Sequence, residues 1–172
     1  MPREQLRAAA EDGSIEDKLH WKRVKAGDFL YSASGTIHAI GAGITLIEVQ
    51  QNSETTYRLY DYGSDRELHL DDGVEVADPV PYVPVAAPQV LSDTRTIMVE
   101  GPKFVLERCK AGARDVALQE GTTAWVVPIT GGGTVAGVAF AAGECVTVTG
   151  SETIAADAGS DYLLAYPGTT RI

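Results

Sequence analysis

The sequence predicts an all-β protein, with short antiparallel strands folded into two barrel-like units behind a short helical lead-in. Two observations carry this. Between residues 24 and 61, short runs of apolar and β-branched residues are repeatedly broken by Gly-rich turns, and the same rhythm returns from residue 89 onward. A third observation divides the chain: Pro79, Pro81, Pro84 and Pro88 enforce an extended path between the two stretches. The reading partitions the chain into a helical lead-in (1–22), a partial barrel (23–78), a Pro-rich linker or surface strap (79–88) and a second β-domain (89–172).

Taken in order, residues 2–11 combine strong helix formers with Pro near the start and Asp12-Gly13 as a stop, which predicts a short helix. Ser14 offers an N-cap, with Asp17 three residues later, for one further turn through Leu19. So little helix must pack on the β-structure or on polypeptide ahead of Met1. His-Trp-Lys-Arg-Val-Lys at 20–25 suits an edge strand, and Gly27-Asp28 and 32–35 read as turns.

Strands are expected at 29–31, 36–40, 44–50 and 55–60, with Gly41-Ala42-Gly43 as a hairpin loop. A three-residue loop places Ile40 opposite Ile44 and His38 opposite Leu46, with Glu48 two residues further along the same face. A two-residue loop slips the register and sends Glu48 to the other side. Residues 62–65 read as a polar turn, Asp71-Asp72 as a solvated turn, and His20 and His69 as surface residues. In the second half, strands at 103–109, 124–129, 134–138, 145–148 and 162–166 belong to a unit of about eight short strands.

Composition bounds the partners. A formal net charge of −10 sets the chain against nucleic acid and against anionic membrane surfaces. The two cysteines, Cys109 and Cys145, are too few for a disulfide framework and sit in apolar segments, which predicts a reducing, cytoplasmic setting. Residues 1–12 are polar where a secretion signal is apolar, and no run is long enough to span a bilayer.

The stretch GDFLYSASGTIHAIGAGITLIEVQQNSETTYRLYDYG resembles the barrel motif of type I mannose-6-phosphate isomerases, a cupin family. His38, Glu48-Val49-Gln50 and Thr56-Tyr57-Arg58 fall in that motif's order and spacing. The resemblance implies two cupin-like (jelly-roll) units, an incomplete N-terminal one and a more complete C-terminal one. It implies zinc-dependent interconversion of mannose 6-phosphate and fructose 6-phosphate by proton transfer between C1 and C2.

In that family the residue matched by His38 is a zinc ligand, and those matched by Glu48 and Arg58 lie in the active site. A base at carbon and a cation over the developing oxyanion are what an enediol intermediate requires, so Glu48 and Arg58 are the candidate catalytic pair. Arg58, Thr36 and Gln50 are the candidate sugar-phosphate contacts. The family's other zinc ligands, a Gln-x-His pair and a Glu, lie upstream of the helix, so three of the four expected ligands fall outside these residues. Ser64 stands where an Arg often follows in the family.

Other readings of the same residues stand beside these. Arg58 can serve as the ion-pair partner of Glu48 or Asp61, and Glu48 as a solvent-facing residue. The second unit, which holds no His, reads as structural. An incomplete barrel leaves strand edges open, which predicts a homodimer. The alternative to the enzyme is a non-catalytic cupin module for sugar-phosphate binding or assembly.

Overall fold

Helix α1 spans Arg3–Asp12, with Pro2 extended at its N-cap and Gly13 closing it in the left-handed region at φ +81°. Leu6, Ala9 and Ala10 recur at helical spacing and are all buried. They meet Ile15, Val74 and Ala77, with Ile37, Leu59, Tyr60 and Leu70 packed around them. Ser14 begins a 3-10 turn (Ser14–Lys18) but does not cap it through its side chain. Instead its main-chain N–H donates to Asp12 Oδ1 at 2.8 Å, and the hydrogen bonds from Ser14 hold the Asp12 carboxyl below its ordinary value.

This computed structural model describes residues 1–84, 87–169 and 171–172. The chain divides into two compact units, Met1–Val85 and Ala86–Ile172. Of the Pro-rich stretch 79–88, Val85 and Ala86 lie outside the described residues.

The first unit departs from the sequence reading in two ways. Asp71-Asp72 is not a turn: it is the first turn of helix α2 (Leu70–Val76), where carboxylates favour the positive end of the helix dipole. Arg7 pairs with Asp71, and Arg3 donates to the carbonyls of Val74 (3.2 Å) and Glu75 (2.7 Å), so α1 is tied to α2.

The second departure concerns the strands. None of the segments 20–25, 29–31, 36–40, 44–50 and 55–60 forms a strand, and the one bridge in the region joins Thr36 to Asp78 in parallel. The hairpin register that would set His38 opposite Leu46 is therefore not made. The turns do form, closed by Asp28 N–H to Lys25 O (3.1 Å) and Thr36 N–H to Ala33 O (3.0 Å). A strand needs a neighbour for its main-chain donors and acceptors, and the described residues supply none here. Leu30, Ile40, Leu46 and Ile47 are accordingly about half exposed.

The second unit is an eight-stranded antiparallel sheet, in which the strands are β1 (Gln89–Ser92), β2 (Arg95–Glu100), β3 (Phe104–Ala117), β4 (Thr123–Thr130), β5 (Gly132–Val135), β6 (Val138–Ala141), β7 (Val146–Thr149) and β8 (Ser151–Pro167). The order is β1-β2-β3-β8-β4-β7, with β5 bridging β8 and β6. Two strands are long rather than short: β3 and β8 run to 14 and 17 residues and pair along most of their length.

The strand expected at 134–138 is split in two: Thr134 and Val135 end β5 and Val138 begins β6, and the chain turns between them with Ala136 at φ 50° and Gly137 at φ 76°. Pro128 is accommodated in β4 beside a register shift and beyond the β7 pairing, where its missing N–H costs no ladder bond. One face of the sheet holds the core, built on Val105, Val126, Ile154, Tyr162, Leu164 and Tyr166. No helix among the described residues is long and apolar enough to cross a membrane.

Candidate active site

His38 is exposed and oriented by its own loop. Gly35, at φ +86°, accepts the Asp78 N–H at 2.8 Å, which fastens the loop beside the end of α2. A side chain at Gly35 would stand 2.9 Å from the Val76 carbonyl, so the close approach requires glycine. Thr36 follows, half-buried, and its carbonyl accepts a hydrogen bond from His38 Nδ1 at 2.9 Å; the Ser32 hydroxyl is 3.4 Å from the same nitrogen. A proton on Nδ1 leaves the lone pair on Nε2, the arrangement of an imidazole ready to accept a metal or a proton.

Arg58 is held from both sides. Its main-chain N–H donates to His69 Nδ1 at 3.0 Å and its carbonyl accepts the His69 N–H at 2.8 Å, so His69 is a structural clasp rather than a free surface residue. The guanidinium donates to the Glu67 carbonyl at 3.0 Å and lies 3.7 Å from Asp61 Oδ1. Asp61, 7% exposed, also takes Arg66, whose Nε donates to Oδ2 at 2.7 Å. The hydrogen bond and charge of Asp61 push the Arg66 guanidinium above its ordinary range.

Glu48 and Gln50 are exposed and make no hydrogen bond or ion pair to another described residue. Of the two ion-pair partners the sequence offers Arg58, the structure supplies Asp61 and not Glu48. Thr36 and His38 are brought together, as are Arg58, Asp61 and His69; among the described residues no hydrogen bond or ion pair joins Glu48 to either group. Among the described residues no three His, Cys, Asp or Glu side chains converge to hold a metal ion. Sequence reasoning missed Arg66, which stands two residues beyond Ser64 and reaches back to Asp61.

No protein-family model matches the chain. The mannose-6-phosphate isomerase ManA of Bacillus subtilis (strain 168) is 50% identical over 88 residues, which are 48% of this chain and 28% of ManA. The chain resembles part of a mannose-6-phosphate isomerase.

A second mannose-6-phosphate isomerase, from Streptococcus mutans serotype c, is 45% identical over 80 residues, or 43% of this chain and 25% of that protein. The crystal structure of the Bacillus subtilis mannose 6-phosphate isomerase superimposes on 95% of this chain and 57% of its own, with a TM-score of 0.69 and 26% identity. The fold is accordingly of the cupin type shared with that mannose-6-phosphate isomerase. The chain spans about a quarter of the length of the curated mannose-6-phosphate isomerases it matches.

Proposed function

We propose that the chain is part of a mannose-6-phosphate isomerase, acting on mannose 6-phosphate and fructose 6-phosphate in the cytoplasm. The observation that carries this reading is the ordered motif His38, Glu48-x-Gln50, Thr56-Tyr57-Arg58 within a chain that is 50% identical to ManA over 88 residues. Aldose–ketose isomerisation moves a proton between C1 and C2 through an enediol. Glu48, exposed and unpaired among the described residues, takes and returns that proton. Arg58, with its side chain 29% exposed and its main chain clasped by His69, offers fixed positive charge to the developing oxyanion or to the phosphate. Thr36 and Gln50 contact the sugar.

The family implies zinc. The fit with the described residues is partial: His38 presents Nε2 as a ligand should, with Nδ1–H satisfied by a carbonyl, but no further ligand stands with it. One imidazole alone does not hold zinc. The unpaired stretch with its exposed Leu30, Ile40, Leu46 and Ile47 supports a homodimer that covers these residues. The two free cysteines, one buried and one exposed, fit a reducing compartment.

A coupled assay with mannose 6-phosphate, run beside elemental analysis and light scattering, tests the proposal. Turnover with bound zinc is expected once a segment carrying the family's Gln-x-His and Glu ligands is supplied beside the chain, and a dimer is expected by light scattering. No turnover and no metal, with or without that segment, would sink the isomerase reading, and a monodisperse monomer would sink the dimer.

A second reading is favoured by the absence of a converging metal set among the described residues and by Asp61 already facing Arg58. In it the chain is a non-catalytic cupin module that binds sugar phosphate or serves assembly. Calorimetric binding of fructose 6-phosphate without turnover is its expected signature.

A further inference from the structure

Charge on the two faces of β3 is settled differently. On the inner face Glu107, 0% exposed, accepts from Arg95 Nε at 2.5 Å and lies 3.6 Å from Arg114 Nη2, so both guanidiniums have a carboxylate. On the outer face Arg108 and Lys110 stand two apart and point the same way. Asp161 of β8 is the register partner of Lys110, yet Arg108 grips it: Nε lies 2.9 and 3.1 Å from the two carboxylate oxygens, and Nη2 donates to Oδ2. The Lys110 ammonium is left without a hydrogen bond or ion pair among the described residues.

That cation lines a cleft of about 450 Å³ in the second unit. The cleft opens where the sheet breaks. Along β3 the register passes from the pair Lys110 and Asp161 to the pair Gly112 and Ala156, so residues 157–160 of β8 face a single residue, Ala111. On the other flank of β8 the β4 ladder shifts between Pro128 and Thr130, and β5 takes over at the pair Gly133 and Ala156. Both flanks loosen at one level, as in a bulge that bends a strand and re-aims its side chains.

The floor of the cleft is firmly built. Ser160 is 3% exposed, and its hydroxyl donates to Gly132 O at 2.7 Å while accepting the Gly132 N–H at 3.0 Å. A Cβ on Gly131 would stand 2.8 Å from Ser160 Cα, so glycine lets the β4–β5 link close onto this corner of β8. Around the floor stand three donors from three segments: Lys110 of β3, Thr130 at the end of β4, and Thr94 in the β1–β2 turn. The Thr94 carbonyl accepts the Lys110 main-chain N–H at 2.9 Å, which holds that turn against β3. The Thr94 hydroxyl lies 3.3 Å from Ser92 Oγ and can accept from it, keeping its own proton for a ligand.

One ammonium and two hydroxyls offer a hydrogen bond to each of three oxygens, which a phosphoryl group presents and a carboxylate does not. Asp161 is the one carboxylate lining the cleft among the described residues, and Arg108 neutralises it. An anion entering there meets net positive charge in a chain whose total is −10. The volume is that of a small-ligand site and leaves room for an organic group beyond the phosphoryl.

We propose that Lys110, Thr94 and Thr130 form a binding site for a small phosphomonoester, seated on the β8 corner at Gly159 and Ser160. The site uses none of the isomerase motif residues and stands apart from that reading.

Titration of the isotope-labelled chain with glycerol phosphate and with inorganic phosphate, against sodium chloride of matched ionic strength, tests it through amide chemical shifts. Saturable shifts at Ala111, Gly159 and Ser160 are expected, with half-saturation at about 1 mM or below for glycerol phosphate. Lys110→Gln, a change at an exposed position, is expected to weaken binding about tenfold, and Thr130→Val about threefold. The amide spectrum of each variant reports that it is folded. No saturable shift at these amides up to about 20 mM, or an affinity that Lys110→Gln leaves unchanged, overturns the site. Binding of inorganic phosphate alone overturns the monoester assignment. Shifts confined to the surroundings of His38 and Arg58 would report the isomerase motif and equally overturn this site.

Discussion

The main-chain amide of Arg58 donates to Nδ1 of His69, and the His69 amide returns a bond to the Arg58 carbonyl, at 3.0 and 2.8 Å. The candidate active-site arginine is thereby positioned through its main chain. His69→Ala leaves the Arg58 N–H without its acceptor and is expected to cost about 1–2 kcal/mol, read as a lower urea midpoint with an unchanged slope.

The proposed roles of Glu48 and Arg58 predict different damage from similar changes. Glu48→Gln removes the proton acceptor but keeps the shape, and turnover of mannose 6-phosphate is expected to fall about 100-fold or more. Arg58→Lys retains a charge without the planar fork and is expected to lose less than Arg58→Met. Circular dichroism that matches the parent in all three separates chemistry from folding.

Glu107 supports a sharper stability prediction. Glu107→Ala strands Arg95 and Arg114 in the core and is expected to cost about 3–5 kcal/mol in chemical unfolding. Arg7→Ala breaks a pair with Asp71, whose side chain is 92% exposed, and is expected to cost less than about 1 kcal/mol.

The two thiols are expected to behave oppositely. Burial, and then the charge of Glu107, push the Cys109 thiol up to about 11, while Cys145 is exposed. At pH 8 a maleimide should label Cys145 and spare Cys109, as peptide mapping would reveal. Folded Cys109 holds its proton more tightly than the unfolded thiol, whose ordinary value is 9.0. The stability it contributes is therefore full below about pH 9 and lost as pH rises through 11, so thermal midpoints should fall over that window. Tyr162 and Tyr166, raised chiefly by burial, push in the same direction.

Gly133 tests close packing. A Cβ there would lie 2.3 Å from the Ala155 carbonyl and 2.8 Å from Ala156 Cα, both main-chain atoms that cannot step aside. Gly133→Ala is expected to destabilise by about 1–3 kcal/mol, measured by differential scanning calorimetry.

These relationships were unequally legible in the sequence. α1 was readable from its helix formers and its Gly13 stop, and the sheet of the second unit from its Gly-punctuated runs. The motif around His38 also pointed to the resemblance that the comparisons support. Helix α2 was hidden because Gly73 interrupts it and two aspartates open it, a composition that mimics a turn; its glycine is explained by Leu59, 2.8 Å from where a Cβ would stand. The runs at 36–40 and 44–50 have strand composition, but strand formation is a property of pairs, and composition does not report the absence of a neighbour. Arg95 and Glu107 lie twelve residues apart and meet only through the β2–β3 register, a long-range fact no local pattern carries.

Strand β8 pairs with β3, β4 and β5, so three otherwise separate pieces of the sheet are joined through it. As a ribosome makes this chain, each of those three waits with one flank of its backbone unmatched until residues 151–167 emerge. Nascent chains stalled ahead of β8 should therefore be open to protease throughout the second unit, and release of that last strand should close the whole unit at once.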